Sequence, residues 1–386
     1  MSLDDDIRDE LRQLAAAHRL RVPRVLDGAQ GPIVRLDGAE VVNFASNDYL
    51  GLAGDRRLVA AAHASLDEDG AGAGSSRLIV GNHRRHVLLE SGLAEWLGQE
   101  RAQLFNSGYA ANVGVMSTLA RAGDVVFSDE LNHASIIDGC RLSRAEIVVF
   151  PHRDLAALES ALSTHRGRRR LIVTESLFSM DGDVADVAAT AALARRHDAS
   201  LILDEAHALG VLGPQGRGVA AAAQVVPDVV IGTFGKALGG FGAFAASSTA
   251  VVELLWNRAR SLVFSTGLPP PVAAAALAAL EIVRGSEGDD RRRTLAAHAG
   301  WLRSCVPELG GDDGSPIAPI AIGDDRRVMQ ISERLLADRV FVQGIRPPTV
   351  PAGTARLRLS LSAAHTPEHM KEVASAIRNA MRQEAR

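Results

Sequence analysis

V-V-I-G-T-F-G-K-A-L-G-G, residues 229–240, reads as a short apolar strand running directly into a glycine-rich turn that carries Lys236. Strands that are continuous apolar runs, without alternation, are typically buried on both faces, as in parallel sheets covered by helices. Six more such runs are spread along the chain: Ala102–Phe105, Asp124–Phe127, Ile147–Phe150, Leu171–Thr174, Leu201–Leu203 and Ala243–Ala246. Helical stretches lie between them, among them Ala111–Leu119, Leu155–Leu162, Val187–Arg196 and Val251–Arg260. This alternation predicts an α/β fold built on a large, doubly wound, mainly parallel sheet.

The pattern occupies residues 41–283. Ahead of it, residues 1–40 predict a helical arm, Ile7 to Arg21, and a short polar ribbon. The acidic stretch G-S-E-G-D-D (285–290) reads as a linker, and residues 284–386 predict a small C-terminal α+β domain. Its expected elements are helix Arg291–Cys305, strand Ile317–Ile322, helix Val328–Ala337, and strands Val340–Gln343 and Arg356–Ser362. A closing helix is capped by Thr366, with Pro367 in its first turn.

Bulk composition narrows the function. A net charge of −4 with 23% charged residues offers no basic patch or tail for nucleic acid or a membrane surface. No apolar stretch approaches the roughly 20 residues that span a bilayer. The opening M-S-L-D-D-D-I-R-D-E is acidic where a secretion signal would be basic and then apolar. Cys140 and Cys305 match no metal or redox spacing and suit buried thiols in a reducing compartment. A soluble cytoplasmic protein without a metal is expected.

Lys236 and Lys371 are the only lysines in 386 residues, although lysine and arginine together number 42. Lys371 lies in a polar, helical tail. Arginine cannot replace a lysine amine as a nucleophile, because its guanidinium stays protonated. A desolvated lysine loses its proton and forms a Schiff base with an aldehyde.

Ligands of open α/β sheets bind beyond the carboxyl ends of the strands. L-I-L-D-E-A-H (201–207) places Asp204 there, with His207 three residues on. A carboxylate leaving a buried strand is costly without a partner charge, and a protonated pyridine nitrogen is such a partner. Alone, the pair also suits a helix cap followed by a core histidine. F-N-S-G-Y-A-A-N (105–112) ends a strand and opens a helix at Gly108 and Tyr109, presenting free N–H groups to a phosphate. Thr233 can add a hydroxyl to the same phosphate. Together these groups outline a pyridoxal 5'-phosphate (PLP) site, with Ser179 and His133 as further candidates around the ring.

Several segments resemble the α-oxoamine synthase family of PLP-dependent transferases. They are S-N-D-Y-L-G-L (46–52), S-R-L-I-V-G-N-H (76–83), S-G-Y-A-A-N (107–112), N-H-A-S (132–135), E-S-L-F-S-M-D-G-D (175–183), D-E-A-H (204–207) and G-T-F-G-K (232–236). The resemblance implies fold type I and spans nearly the whole chain. R-P-P-T-V-P-A-G-T-A-R-L-R (346–358) resembles the family member that condenses L-alanine with a pimeloyl thioester, on CoA or a carrier protein, in biotin biosynthesis.

By that resemblance, Lys236 holds PLP and moves the α-proton, Asp204 pairs with the pyridine nitrogen, and His133 stacks on the ring and borders the substrate. Ser179 and His207 lie by the ring, and Gly108, Tyr109 and Thr233 serve the phosphate. Asn47 and Arg358 hold the amino-acid carboxylate, while Arg21 and Thr349 border the acyl substrate. Ser265 and Thr266 of F-S-T (264–266) reach a neighbouring subunit's phosphate, which implies a homodimer with shared sites. A sister enzyme using glycine would employ the same residues, and a non-catalytic partner subunit would lack the lysine. A dinucleotide oxidoreductase is disfavoured, because no G-x-G-x-x-G follows an early strand.

Overall fold

The structure, a computed structural model, describes residues 2–384. The chain divides into two compact units. One contains Leu52–Ser179 and Asp183–Arg293; the other contains the residues up to Gly51, Met180–Gly182 and the residues from Thr294 onward. The expected cuts at 41 and 284 therefore differ from these boundaries. The ribbon strand Ala39–Asn43 pairs with Val340–Phe341, a long-range partnership that no local pattern announces.

The unit from Leu52 is built on a seven-stranded sheet. Its strands lie in the order Arg101–Phe105, Ala243–Ser247, Val229–Thr233, Ser200–Asp204, Arg170–Glu175, Val125–Asp129 and Glu146–Phe150. All seven expected strands are present, each within two residues of its predicted ends. Ala243–Ser247 runs antiparallel to both neighbours. The connection before it, residues 234–242, is shorter than the dozen or so residues a parallel crossover needs. Val126, Val173, Ile202 and Ile231 fill one face of the sheet, packed against helix Gly108–Leu119. Gly139 lets helix Ala134–Ser143 approach that helix: a Cβ there would lie 2.9 Å from the Asn112 carbonyl oxygen.

The second unit holds a three-stranded antiparallel sheet with Ala355–Ser360 between Ile317–Gly323 and Gln343–Ile345. A second sheet joins Leu26–Asp27, Ile33–Leu36, Ala39–Asn43 and Val340–Phe341. The expected strand Val340–Gln343 is thus two strands serving different sheets, separated at Val342. The expected arm helix Ile7–Arg21 is helix Leu3–Ala16. Ser2 caps it, Asp4, Asp5 and Asp6 complement the positive end of its dipole, and His18 leaves the helical region at φ 56°.

The acidic stretch 285–290 is no linker. Gly285 caps helix Pro270–Arg284, and Ser286 opens the 20-residue helix Ser286–Cys305. Glu287 and Asp289 are its acidic first turn, where negative charge stabilises a helix. No helix among the described residues is long and apolar enough to cross a membrane.

Candidate active site

Adjacent parallel strands deliver Thr233, Asp204 and Glu175 at their carboxyl ends. They line a cleft of about 170 Å³ together with Lys236, His133, His207 and Asn112. Gly108 and Tyr109, from the first turn of helix Gly108–Leu119, complete one wall. Lys236 is half-buried in the turn after Thr233. The turn is held from inside: Thr233 Oγ1 donates to the Gly242 carbonyl at 2.9 Å and accepts from the Gly235 N–H at 3.2 Å. Gly239, at φ +63°, packs so closely that a Cβ would come within 2.5 Å of the Ala53 nitrogen. The glycines around Lys236 therefore set its turn tightly against the protein.

Asp204 is buried and takes two donors: the Asn112 side-chain amide at 2.7 Å and the Ala206 N–H at 2.8 Å. Asn112 also donates to Ser135 Oγ at 3.0 Å, and Ser135 Oγ lies 2.7 Å from His133 Nδ1. The Ser135 N–H points at the same ring nitrogen from 3.2 Å. With Nδ1 accepting, the imidazole proton belongs on Nε2. Asp204 is thereby linked to His133 through two neutral side chains. Loss of water around its ring pulls His133 below the usual histidine range; Asp204 opposes this and Lys236 adds to it.

Glu175 was not singled out from the sequence. It is buried, in register with Asp204 on the neighbouring strand, and its Oε1 has no hydrogen-bond partner among the described residues. Burial, then the Asp204 charge, push its carboxyl up to about 8. The signal that marked Asp204, an acid ending an apolar strand, was equally present in L-I-V-T-E (171–175). Asn112 carried no signal of its own beyond its place in S-G-Y-A-A-N.

The remaining expected cofactor residues are placed differently. Tyr109 borders the cleft with its backbone turn, but its side chain is half exposed and donates its hydroxyl to Asp138. Ser179 is half-buried and is not among the cleft-lining residues. Ser265 and Thr266 do not border the cleft either; Asn106 donates to Ser265 Oγ and to the Thr266 carbonyl, both at 2.8 Å.

In the other unit, Arg358 is 6% exposed on the central strand of its sheet. Both terminal nitrogens donate to Asn47 Oδ1 at 3.2 Å, and Nη1 donates to Ser360 Oγ at 2.7 Å. Asn47 and Arg358, expected to share a carboxylate, are thus in contact. Arg21 donates to Thr349 Oγ1 at 3.3 Å, and both border a cavity of about 600 Å³. Arg346, which opens the R-P-P-T stretch, borders the same cavity. It is buried, its Nε has no partner, and it forms no ion pair among the described residues. Desolvation and then the neighbouring Arg21 charge lower its guanidinium from the ordinary value.

The cleft residues suit PLP. Glu175 Oε1 and Asn112 Oδ1 are buried polar atoms without partners among the described residues, Asp204 can face a cationic ring nitrogen, and Lys236 can meet an aldehyde. A Cβ at Gly108 would meet nothing within 4 Å beyond its chain neighbours and its own helix, leaving space at the helix N-terminus, where phosphates commonly bind.

The aminotransferase class I and II pattern matches residues 39–377. An 8-amino-7-oxononanoate synthase of Geobacter sulfurreducens is 50% identical over 377 residues, covering 96% of each chain. A solved serine palmitoyltransferase of S. paucimobilis, with a bound PLP–myriocin aldimine, superposes with TM-score 0.91 at 31% identity over 98% of this chain and 97% of that one. A solved 8-amino-7-oxononanoate synthase of Francisella tularensis gives TM-score 0.77 at 29% identity, covering 90% and 99%. With fold, cofactor residues and full-length similarity in agreement, the chain belongs to the aminotransferase class I and II family, in its PLP-dependent α-oxoamine synthase branch.

Proposed function

We propose that this enzyme joins L-alanine to a pimeloyl thioester, on CoA or a carrier protein, releasing the thiol and CO2 to give 8-amino-7-oxononanoate for biotin biosynthesis. The observation that carries the reading is the convergence of Lys236, Asp204 and His133 in one cleft, in a chain with only one other lysine.

PLP, when bound, supplies the electron sink for the bond broken at the α-carbon of alanine. Lys236 would hold the cofactor aldehyde, and its amine would move the α-proton. The Asp204 carboxylate keeps the ring nitrogen protonated. His133 would lie against the ring, and its Nε2–H would donate to a thioester oxygen as negative charge develops there. Gly108, Tyr109 and Thr233 hold the phosphate end, while Ser179 and His207 stand beside the ring.

Asn47 and Arg358 hold the alanine carboxylate through the planar guanidinium fork. Arg21, Thr349 and Arg346 receive the far carboxylate of the pimeloyl chain. Two arginines on one cavity, neither with an ion pair among the described residues, favour an anionic group, and that group distinguishes a pimeloyl donor from a plain fatty acyl one.

The enzyme works in the cytoplasm as a homodimer, with Ser265 and Thr266 completing the phosphate site of the second copy. Their position outside the chain's own cleft supports this. The deciding assay is thiol release from pimeloyl-CoA with alanine, glycine and serine in turn. Alanine should be preferred; preference for glycine with a short acyl-CoA would make the chain a sister synthase.

A further inference from the structure

His152 lies outside the cleft and has no assigned role. Its ring bridges two carboxylates: Nδ1 is 3.0 Å from Asp129 Oδ1, and Nε2 is 2.6 Å from Asp183 Oδ2. A neutral imidazole has one N–H and one lone pair, so it would aim that lone pair at an anion. Both nitrogens must donate, which makes the ring an imidazolium. We propose that His152 is a positioning residue, a cationic staple that fixes the loops bearing His133 and Ser179 for the reaction. The proposal rests on the roles assigned to those two residues above.

The staple's surroundings explain its strength. Asp129 ends strand Val125–Asp129 and also accepts the N–H groups of Leu131 and Arg153 at 2.9 and 3.0 Å. It therefore governs the backbone just before His133. Asp183 receives Arg153 Nη1 at 3.2 Å, and its Oδ1 has no partner among the described residues, so it relies on Oδ2 for its contacts. Its carbonyl accepts the Phe178 N–H at 3.0 Å, directly before Ser179. The Phe178 ring meets the imidazole edge-on, with centroids 4.3 Å apart. Glu130 faces the same turn, accepting the His152 backbone N–H at 2.8 Å.

The charged groups facing the ring are thus Asp129, Asp183, Arg153 and Glu130. Although burial works against the charged ring, its hydrogen bonds to the Asp129 and Asp183 carboxylates and their charges hold it up at about 10. The raised value means the staple is fully present below the ordinary histidine range and is lost only as the pH rises through about 10.

Nitrogen-15 NMR of the histidine-labelled holoenzyme tests the charge. At about pH 8, where an ordinary histidine is neutral, both His152 ring nitrogens should carry protons. A bare nitrogen there overturns the proposal whether or not any variant folds. The second arm uses His152→Gln and Asp183→Asn, singly and together. Each should keep the folded secondary structure, lower kcat/KM on the order of 10²-fold and alter the visible circular dichroism of bound PLP. The double variant should lose little more than either single one. Wild-type kinetics and dichroism in His152→Gln, or fully additive losses, would likewise refute it. If His152→Gln shows the loss while Ser179→Ala behaves as wild type, the Ser179 assignment fails and the staple stands on His133.

Discussion

Glu175 and Asp204 leave neighbouring parallel strands in register, so two carboxyl groups stand side by side at the floor of one cleft. Two like charges so close cannot both ionise freely. Asp204 takes two N–H donors while one oxygen of Glu175 has none, so Glu175 is the member that keeps its proton.

That assignment predicts a pH-dependent stability in the cofactor-free protein. The Glu175 carboxyl is raised from 4.5 to about 8, so the folded state binds more protons than the unfolded state across that window. Stability contributed by this group therefore falls as pH rises from 4.5 towards 8, by a few kcal/mol at about 1.4 kcal/mol per unit. Glu175→Gln has no proton to lose. Its melting temperature should gain on the wild type across the window, and parallel curves would show Glu175 ionised throughout.

Asp204→Asn should fold and retain some PLP, yet lose exchange of the alanine α-proton by orders of magnitude. An amide does not hold the ring nitrogen protonated, so the electron sink is lost. Deuterium exchange into alanine, followed by NMR without an acyl donor, measures this directly. A near-normal exchange rate would reduce Asp204 to a cap for the following turn.

The strand ends were legible because apolar runs buried on both faces leave a plain signature, and chemistry gathers where those runs stop. Lys236 and Asp204 were found by that rule. Glu175 obeyed it too, but Asp204 drew the attention and its neighbour in register could be recognised only once the strand order was known. Arg346 was hidden differently. Its motif was distinctive, but a missing ion pair is a property of the folded cavity. Pairing of Val42 with Val340 was equally out of reach, since it joins residues almost 300 positions apart in a parallel register. The acidic run at 285–290 misled because charge and glycine suit a linker and a helix N-terminus alike.

Lys236→Ala should abolish turnover while leaving the fold intact. Borohydride reduction of the wild type should attach PLP to Lys236 and to no other residue, as mass spectrometry of the peptides would show. Label on Lys371 would sink the assignment.

Arg346→Met removes the buried charge but keeps an apolar stem of similar reach. Burial of a guanidinium without an acidic partner costs stability, so the variant should melt no lower than the wild type. Its KM for pimeloyl-CoA should rise by roughly 10–100-fold, the loss of one charged hydrogen bond. The methyl ester of the same donor, which has no terminal charge, should show little change between the two proteins. An equal loss with both donors would mean that Arg346 holds some other part of the thioester.

Arg358→Lys tests the amino-acid end of the site. The arginine presents both terminal nitrogens towards Asn47, a fork that matches the two oxygens of a carboxylate. Lysine keeps the charge but has a single point of attachment, and losing one charged hydrogen bond costs roughly 1–3 kcal/mol. Alanine affinity should therefore fall by about 5- to 150-fold, visible as a spectral titration of the holoenzyme without acyl donor. PLP content should be unchanged, because Arg358 lies on the small sheet and the cofactor residues on the large one. Arg356 provides the control. It sits two residues away on the same strand but pairs with Asp181, so Arg356→Lys should leave alanine binding as it was. Titrations that overlay for wild type and Arg358→Lys would show that the buried guanidinium serves the protein's own groups, Asn47, Ser360 and Tyr49 among them, and the carboxylate role would pass to another group.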